Sequence, residues 1–577
     1  MSPTVKRLLI AGIFAAALVF HLAVIGQDFT VLAKNGFLYD DSFYAFKIAR
    51  SLASGAGASF DGIHPTNGFQ PLYVFMLVPI YWLYPSDLIS PIYAALALSA
   101  LFTALTAVLL FKIVSRYTSA RIALLATAVW TFSPVVTKQA ANGLETAMAL
   151  FFFASAVYFY LSRVRAVETP PKRAFVALGV ILGMAMLARI DEIFLGLVML
   201  LDYLLVLRKR GAAGRALGGV IAAVAAAVAA YSPWIVYNAI AHGSVLQDSG
   251  TATRFLSLAY APFFGLGSTD IASSGPTAGF LWGNIVHSLS VLKLSPPLHA
   301  FFRGAEKFGV AIGAPGTIAV LVDVLGLALG AAFVYFVVVR RRDLRAKGFD
   351  EIQFLLLLAV VLVGAYSLYV FGGFFFVRYY YPVYFILCIY AGLLFEEMFQ
   401  RLALNAVRAR WTFAVILASF LGAFGYMAYT CSCRSYPIYC FYDAARWVED
   451  NTSPDDTIGV FQSGAVGYFA HRRVINLDGK VNADALEALK GGKLGAYLRR
   501  EGIDVIIDNK NVLELFLTGE FKARKTGDPL VLLGLRRLEC GAKEGVPGWA
   551  AYRVNGFASA HSVGSAYSTG PHTFQNE

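Results

Sequence analysis

Two adjacent carboxylates, Asp40 and Asp41, stand in the run Gly36-Phe-Leu-Tyr-Asp-Asp-Ser-Phe-Tyr44, shortly after a first apolar segment. An acidic pair at a membrane boundary is costly to desolvate unless it holds a cation or exchanges a proton. The alternative is an ordinary solvated pair in a loop. The surroundings favour chemistry: Gly55, Gly57 and Gly62 make a flexible stretch, His64 lies within it, and Thr66-Asn67-Gly68-Phe69-Gln70-Pro71 follows. Polar groups returned to the membrane surface by a re-entrant turn can line a site. A second acid, Glu145, occurs in Asn142-Gly-Leu-Glu-Thr146, where it either serves a site or supports the start of a helix. Three cations complete the set: Arg189 in Arg189-Ile-Asp191-Glu192, Arg254, and Arg378 after Gly372-Gly-Phe-Phe-Phe-Val. An anionic ligand would explain such cations. For Arg189, pairing with Asp191 or Glu192 at the helix end is the alternative.

The elements that position these residues must be membrane helices. The chain has 577 residues, of which 58% are hydrophobic and 15% charged, and its mean hydropathy is +0.63. Soluble chains carry about 25% charged residues, so a soluble enzyme, a disordered tail protein and a disulfide miniprotein are excluded. The net charge of +12 gathers in short clusters between apolar runs, the pattern of membrane loops and not of a nucleic-acid-binding stripe. Apolar runs at 8–26, 88–113, 121–137, 144–161, 174–188, 191–207, 216–240, 310–339, 352–371, 379–398 and 411–430 predict about eleven spans.

Residues 69–84 are apolar but short for a span. Were they to cross, the clusters at Arg116/Arg121, Arg163/Arg165/Lys172/Arg173 and Arg208/Lys209/Arg210 would face outward. The positive-inside bias therefore makes 69–84 re-entrant or interfacial, with a cytoplasmic N-terminus and an outer C-terminus. Residues 42–53 read as a helix lying in the interface. On this topology Arg189 and Arg378 are cations in short outer loops, where the bias predicts few.

The chain divides into a transmembrane domain, 1–430, with outer loops 27–87 and 242–309, and an outer domain, 431–577. In the latter, 458–461, 474–477, 504–508 and 530–535 read as buried strands, and 483–489 and 494–500 as helices, which predicts a small α/β domain. Cys431, Cys433, Cys440 and Cys540 fall there, an even number that predicts one or two disulfides in any of three full pairings. No Walker A, dinucleotide fingerprint, Gly-x-Ser-x-Gly or His-Glu-x-x-His motif is present, and no histidines pair at metal-ligand spacing. The Ala-rich run 222–230 is suited to close helix packing.

Tyr39-Asp-Asp-Ser-Phe-Tyr44, Ile48-Ala-Arg-Ser-Leu, Gly55 and Gly57, Thr66-Asn-Gly-Phe-Gln-Pro-Leu72 and Gly143-Leu-Glu-Thr146 together resemble the GT-C superfamily of membrane glycosyltransferases. The closest flavour is that of arabinofuranosyltransferase-like members, with protein-mannosyltransferase-like and aminoarabinose-transferase members further off. Gln462-Ser-Gly-Ala-Val-Gly-Tyr468 and Val474-Ile-Asn-Leu-Asp-Gly-Lys-Val-Asn482 look like segments that recur in such relatives. The resemblance implies a polyprenyl-phosphate sugar donor in the bilayer, a glycan, lipid or protein hydroxyl as acceptor, no nucleic acid, and work at the outer face of a cytoplasmic membrane. It gives Asp40 the role of general base with Asp41 beside it, and offers Arg189, Arg254 and Arg378 to the phosphate. It leaves a divalent cation (Mg or Mn) open, with Asp41 and Glu145 as ligands. Phe374 departs from the acid often found after Gly372-Gly373, so the acceptor of the arabinosyl branch does not carry over. A multi-span transporter or lipid flippase is the alternative, but the acids and cations gather at one surface and not mid-membrane.

Overall fold

The computed structural model describes residues 2–209, 213–260, 349–369, 377–401, 438–518, 532–533 and 549–554. The protein is mostly helical. Helix α1 (Pro3–Ile25) starts where the Ser2 hydroxyl accepts from the Val5 amide, and ends at Gly26. After α2 (Phe29–Lys34) comes α3 (Asp40–Ala53), whose first turn holds both acids, where the helix dipole favours them. Its buried face carries Phe43, Phe46 and Ala49, at helical spacing.

Helix α4 (Pro71–Leu83) has 13 residues, about 20 Å of rise against a hydrocarbon core of about 30 Å. It is too short to cross, consistent with the re-entrant or interfacial reading of 69–84. Helix α5 (Ser90–Val114) follows, its start fixed by the Asp87 carboxylate on the Ile89 and Ser90 amides. The expected span 121–137 is broken into α6 (Ala120–Thr131) and α7 (Pro134–Ala140), which meet at 57°. Ser133 caps α7 and Pro134 cannot continue α6, so the chain bends. Helix α8 (Thr146–Phe159) continues into a wider turn over Tyr160–Arg165.

Helices α9 (Lys172–Ala188), α10 (Ile193–Lys209) and α11 (Ala213–His242) complete this bundle, and α12 (Asp248–Tyr260) leaves it. Gly179 and Gly183 of α9 lie against Ala223, Ala227 and Ala230 of α11, so close that a Cβ on either glycine would collide. Small residues four apart bring membrane helices into backbone contact, and this is where the Ala-rich run is used.

Among the described residues, five helices are long and apolar enough to cross a membrane: α1, α5, Thr146–Arg165, Leu217–His242 and Arg378–Glu397. The broken α6–α7 pair makes a sixth if it counts as one span. The spans expected at 174–188, 191–207 and 352–371 are 17-residue helices (α9, α10 and Gln353–Tyr369), about 26 Å long. Those at 310–339 and 411–430 lie outside the described residues, as do Gly372, Gly373, Phe374, Cys431, Cys433 and Cys540.

The C-terminal region is α/β. Strands β1 (Thr457–Val460), β2 (Arg473–Asn476), β3 (Val505–Asn509), β4 (Leu532–Leu533) and β5 (Trp549–Val554) form one sheet in the order β2-β1-β3-β5-β4. The first three are parallel, joined through helices Gly464–Phe469, Ala483–Lys490 and Leu494–Arg500, and β5 runs antiparallel to β3 and β4. Strand β5 carries no strong pattern in the sequence and was not expected. Helix Ile438–Asn451 covers one face, and its Cys440 is disulfide-bonded, as the tail cysteines predicted. A continuous apolar core joins the sheet to the membrane domain: Phe43, Phe46 and Tyr81 share it with Phe441, Tyr468 and Trp549.

Candidate functional site

The carboxyl ends of parallel strands are where open α/β sheets bind ligands. Here those ends of β1 and β2 meet the N-terminus of α3. Beyond β2 the chain makes a tight turn: Gly479 has φ +82°, its amide donates to Asn476 Oδ1, and the Lys480 amide donates to Asp478 Oδ1. The turn aims Lys480 at Asp41. Gly68, from the loop before α4, presses on the Lys480 carbonyl with no room for a Cβ.

Asp41 is the hub. Its Oδ2 accepts from Arg378 Nη2 at 2.6 Å and its Oδ1 from Lys480 Nζ at 3.0 Å, while its side chain stays 25% exposed. Burial alone would raise this carboxyl, but Lys480 and Arg378 outweigh it and hold it below the usual carboxylate range. The same pairing, with help from Asp478, keeps the Lys480 ammonium charged against the cost of its burial.

Asp40 has a different environment. Its carboxylate accepts from the Gly464 amide at 3.1 Å and the Ala465 amide at 2.8 Å, across the boundary to the C-terminal region. Gly464 has to be glycine, since a Cβ would strike the Asp40 backbone. Burial is the largest influence on the Asp40 carboxyl and pushes it well above its ordinary value, with the neighbouring Asp41 adding to the rise and the two amides opposing it. Two adjacent acids thus part: Asp41 is a fixed anion, and Asp40 is shifted toward the range where a carboxyl exchanges a proton.

The second acid and the first arginine form one knot. Arg189 donates to Glu145 at 2.7 Å, to Asp191 at 3.0 Å and to the Tyr366 hydroxyl at 3.2 Å, and Tyr366 also bonds Asp191. The Glu145 side chain does not cap α8, so its partner is the arginine and not the helix end. Arg189 and Arg378 sit over the ring of Tyr379, 5.6 and 5.3 Å from its centroid, which links this knot to Asp41.

The remaining candidates lie apart. Asn67 is consumed by backbone: its amide donates to the Leu246 carbonyl and accepts from the Asp248 amide, tying the start of α12 to the loop before α4. His64 bonds Asp61 at 2.6 Å and approaches Glu501 at 3.3 Å. Arg254 is exposed on α12, within electrostatic reach of the Tyr369 hydroxyl, and no carboxylate pairs with it among the described residues. The residues offered to a divalent cation do not present an open ligand set: Asp41 is held by two cations and Glu145 by Arg189. Lys480, Tyr366 and Tyr379 carry much of the geometry and were not singled out from sequence. The only signal was that Lys480 falls inside the Val474–Asn482 segment of the family resemblance.

Residues 89–237 match the family model described as dolichyl-phosphate-mannose-protein mannosyltransferase, and 434–553 match a domain of unknown function, DUF8728. A search of curated proteins finds no match. Among solved structures, the chain is similar to the Archaeoglobus fulgidus oligosaccharyltransferase in complex with Zn and sulfate, at 14% identity and a TM-score of 0.50. That likeness covers 81% of this chain and 64% of the other, so the chain spans less than two thirds of that enzyme's length. ArnT from Cupriavidus metallidurans bound to undecaprenyl phosphate matches at 15% identity and a TM-score of 0.43, over 95% of this chain and 98% of that one. With a matching family model across its central spans and this architecture, the chain has the fold of the GT-C superfamily of membrane glycosyltransferases.

Proposed function

We propose that the protein is an inverting glycosyltransferase that moves a sugar from a polyprenyl-phosphate donor to an acceptor hydroxyl on a cell-envelope glycan, lipid or protein. The observation that carries this reading is the pairing of Arg378, from the membrane domain, and Lys480, from the C-terminal domain, on Asp41, directly beside Asp40. The matched family model supports the donor class, since dolichyl-phosphate-mannose is a polyprenyl-phosphate sugar. The donor's prenyl tail lies among the spans and its phosphate at the surface meets Arg378 and Lys480, with Arg254 as an exposed third cation. The acceptor arrives from the outer side, along the seam between the two domains.

In the reaction the acceptor oxygen attacks the anomeric carbon while its proton passes to the Asp40 carboxylate. The carbon–oxygen bond to phosphate breaks on the opposite face, so configuration inverts. The phosphate carries away the bonding pair, and the growing negative charge is met by fixed cations that need no reorganisation. Asp41 keeps those cations in place before the donor arrives. Asp40, raised by burial, matches a general base better than an ordinary surface aspartate.

The test is transfer by purified protein offered a panel of polyprenyl-phosphate sugars labelled in the sugar. Free lipid phosphate should be released by the wild type and not by Asp40→Asn. If no donor gives release, and Asp40→Asn matches wild type in cells, the enzyme reading fails.

A further inference from the structure

We propose that His64, Asp484 and Glu501 form a divalent transition-metal site, for Zn2+ foremost, which fastens the first outer loop to the C-terminal domain. One ligand atom from each residue lies within 4.8 Å of the others. The three come from separate elements: the loop before α4, the start of helix Ala483–Lys490, and the end of helix Leu494–Arg500. His64 Nε2 stands 3.3 Å from Glu501 Oε2. Two ligands bonded at about 2.0–2.1 Å to a tetrahedral ion stand about 3.3 Å apart, so this edge of the polyhedron is already in place. Asp484 is 57% exposed and can swing to complete the face, leaving the fourth position open to water.

The imidazole is oriented as in a metal site. Asp61, only 3% exposed, takes His64 Nδ1 at 2.6 Å with one carboxylate oxygen. Its other oxygen is fixed by the Ile63 and His64 amides and the Ser59 hydroxyl. A carboxylate on the far nitrogen sets the tautomer that points the Nε2 lone pair outward, and it makes the imidazole a stronger ligand. Gly62, at φ +82°, shapes the turn that holds Asp61 and His64 together. Imidazole with carboxylates is a donor set for zinc or manganese more than for calcium.

Two guanidinium groups lie against the ligand carboxylates: Arg500, which bonds Asp484 at 2.7 Å and Glu501 at 2.9 Å, and Arg473, 4.0 Å from Glu501. Arg500 is 58% exposed, so it can release Asp484 to water and hand it to an ion. Arg500 is therefore a competitor for the site, which gives the proposal a gain-of-binding test. Such an ion would act at a distance from the acids of α3. Asp484 follows Lys480 by one short turn, and His64 and Gly68 belong to the loop that presses on Lys480. Fixing this loop to that helix fixes the ammonium that meets Asp41.

The experiment uses the full chain in detergent, stripped with chelator, dialysed against Zn2+ and, separately, Mn2+, then measured for bound metal by mass spectrometry and for Tm. The expected result is one equivalent of zinc and a rise in Tm that chelator reverses, since an ion bound only by the folded state stabilises it. His64→Ala and Glu501→Gln should each lose the equivalent, Asp40→Asn should keep it, and Arg500→Ala should bind about tenfold more tightly, a gain of about 1.4 kcal/mol. No bound metal, or binding that survives in the His64→Ala/Glu501→Gln double variant, would overturn the proposal and leave an ion-pair cluster. Because metal content and Tm are read without any sugar donor, the result stands apart from the fate of the glycosyltransferase reading.

Discussion

Asp40 and Asp41 are neighbours in sequence and different chemical objects in the fold, and predictions at this scale follow from that difference. If Asp40 is the base, it works only when ionised. The rate kcat/KM should then rise with pH through a value above the 3.8 of an ordinary aspartate, because burial raises this carboxyl. Asp40→Asn should lower kcat by about 10²–10⁴, the usual contribution of a general base, and should abolish that acidic limb. A limb that persists in Asp40→Asn and vanishes in Asp41→Asn would assign the base to Asp41 instead. Lys480 makes a separate claim. Losing a charge-assisted bond to the donor phosphate costs about 1.5–3 kcal/mol, so Lys480→Met should raise the donor KM about tenfold or more. Because the same ammonium meets the charge that grows on the leaving phosphate, kcat should fall as well, and unchanged kcat and KM would put Lys480 outside the phosphate contact. The sequence made the acids visible because they sit together in an otherwise apolar neighbourhood. Lys480 was not visible because its partner lies 439 residues away and no spacing encodes such a contact.

At the scale of elements, most of what the sequence exposed was periodicity and most of what it hid was pairing. Helix 494–500 has its predicted bounds, and 483–489 gains one residue, because both have a regular apolar face and Asn482 caps the start of the second. Strand β1 starts one residue earlier than hydropathy suggested, since Thr457 is drawn into the ladder by Asp504, whose carboxylate takes its amide and whose own amide bonds its carbonyl. It ends before Phe461, where the chain turns and the Gln462 amide goes to Asp508. Strand β5 went unseen because Trp-Ala-Ala-Tyr-Arg-Val has a weak strand signal of its own; five paired residues on β3 make it a strand. The loop before α4 is the element whose role is most open to test. Gly68 leaves no space between itself and the Lys480 carbonyl, so Gly68→Ala must push the two apart. We expect this single methyl to cost about 1–3 kcal/mol, as overpacking does, with faster proteolysis between the domains and a raised donor KM. Gly55→Ala, in open space on the same loop but strained at φ +82°, is the control: it should lose stability without the KM change.

At the scale of the whole molecule, loop charge decided what hydropathy could not. Hydropathy alone left 69–84 ambiguous, and the distribution of Lys and Arg made it a segment that does not cross, in keeping with the 13 residues of α4. No reading of charge or periodicity announced that the C-terminal sheet region and the apolar helices share one core, with Tyr81 bonding Tyr468 between them. The consequence is that groups buried in the C-terminal domain tune the stability of the seam on which the acids depend. Asp508 is such a group. Burial pushes its carboxyl up to about 7, although the Gln462 and Asn509 amides bond it. Between the unfolded value near 3.8 and about 7, the native state holds a proton that the unfolded chain has released. The unfolded state binds fewer protons there, so stability falls as pH rises through this window and Asp508 contributes no further slope above it. We therefore expect the Tm of the intact chain to decline from pH 5 to pH 7, and the decline to flatten in Asp508→Asn. The substitution presents an amide N–H₂ to one of two backbone donors and should lower Tm at every pH, so the slope is the reading that matters. An undiminished slope in Asp508→Asn would place the titration elsewhere, with Asp478 and Asp40, whose carboxyls burial also raises on this seam, as the next to replace.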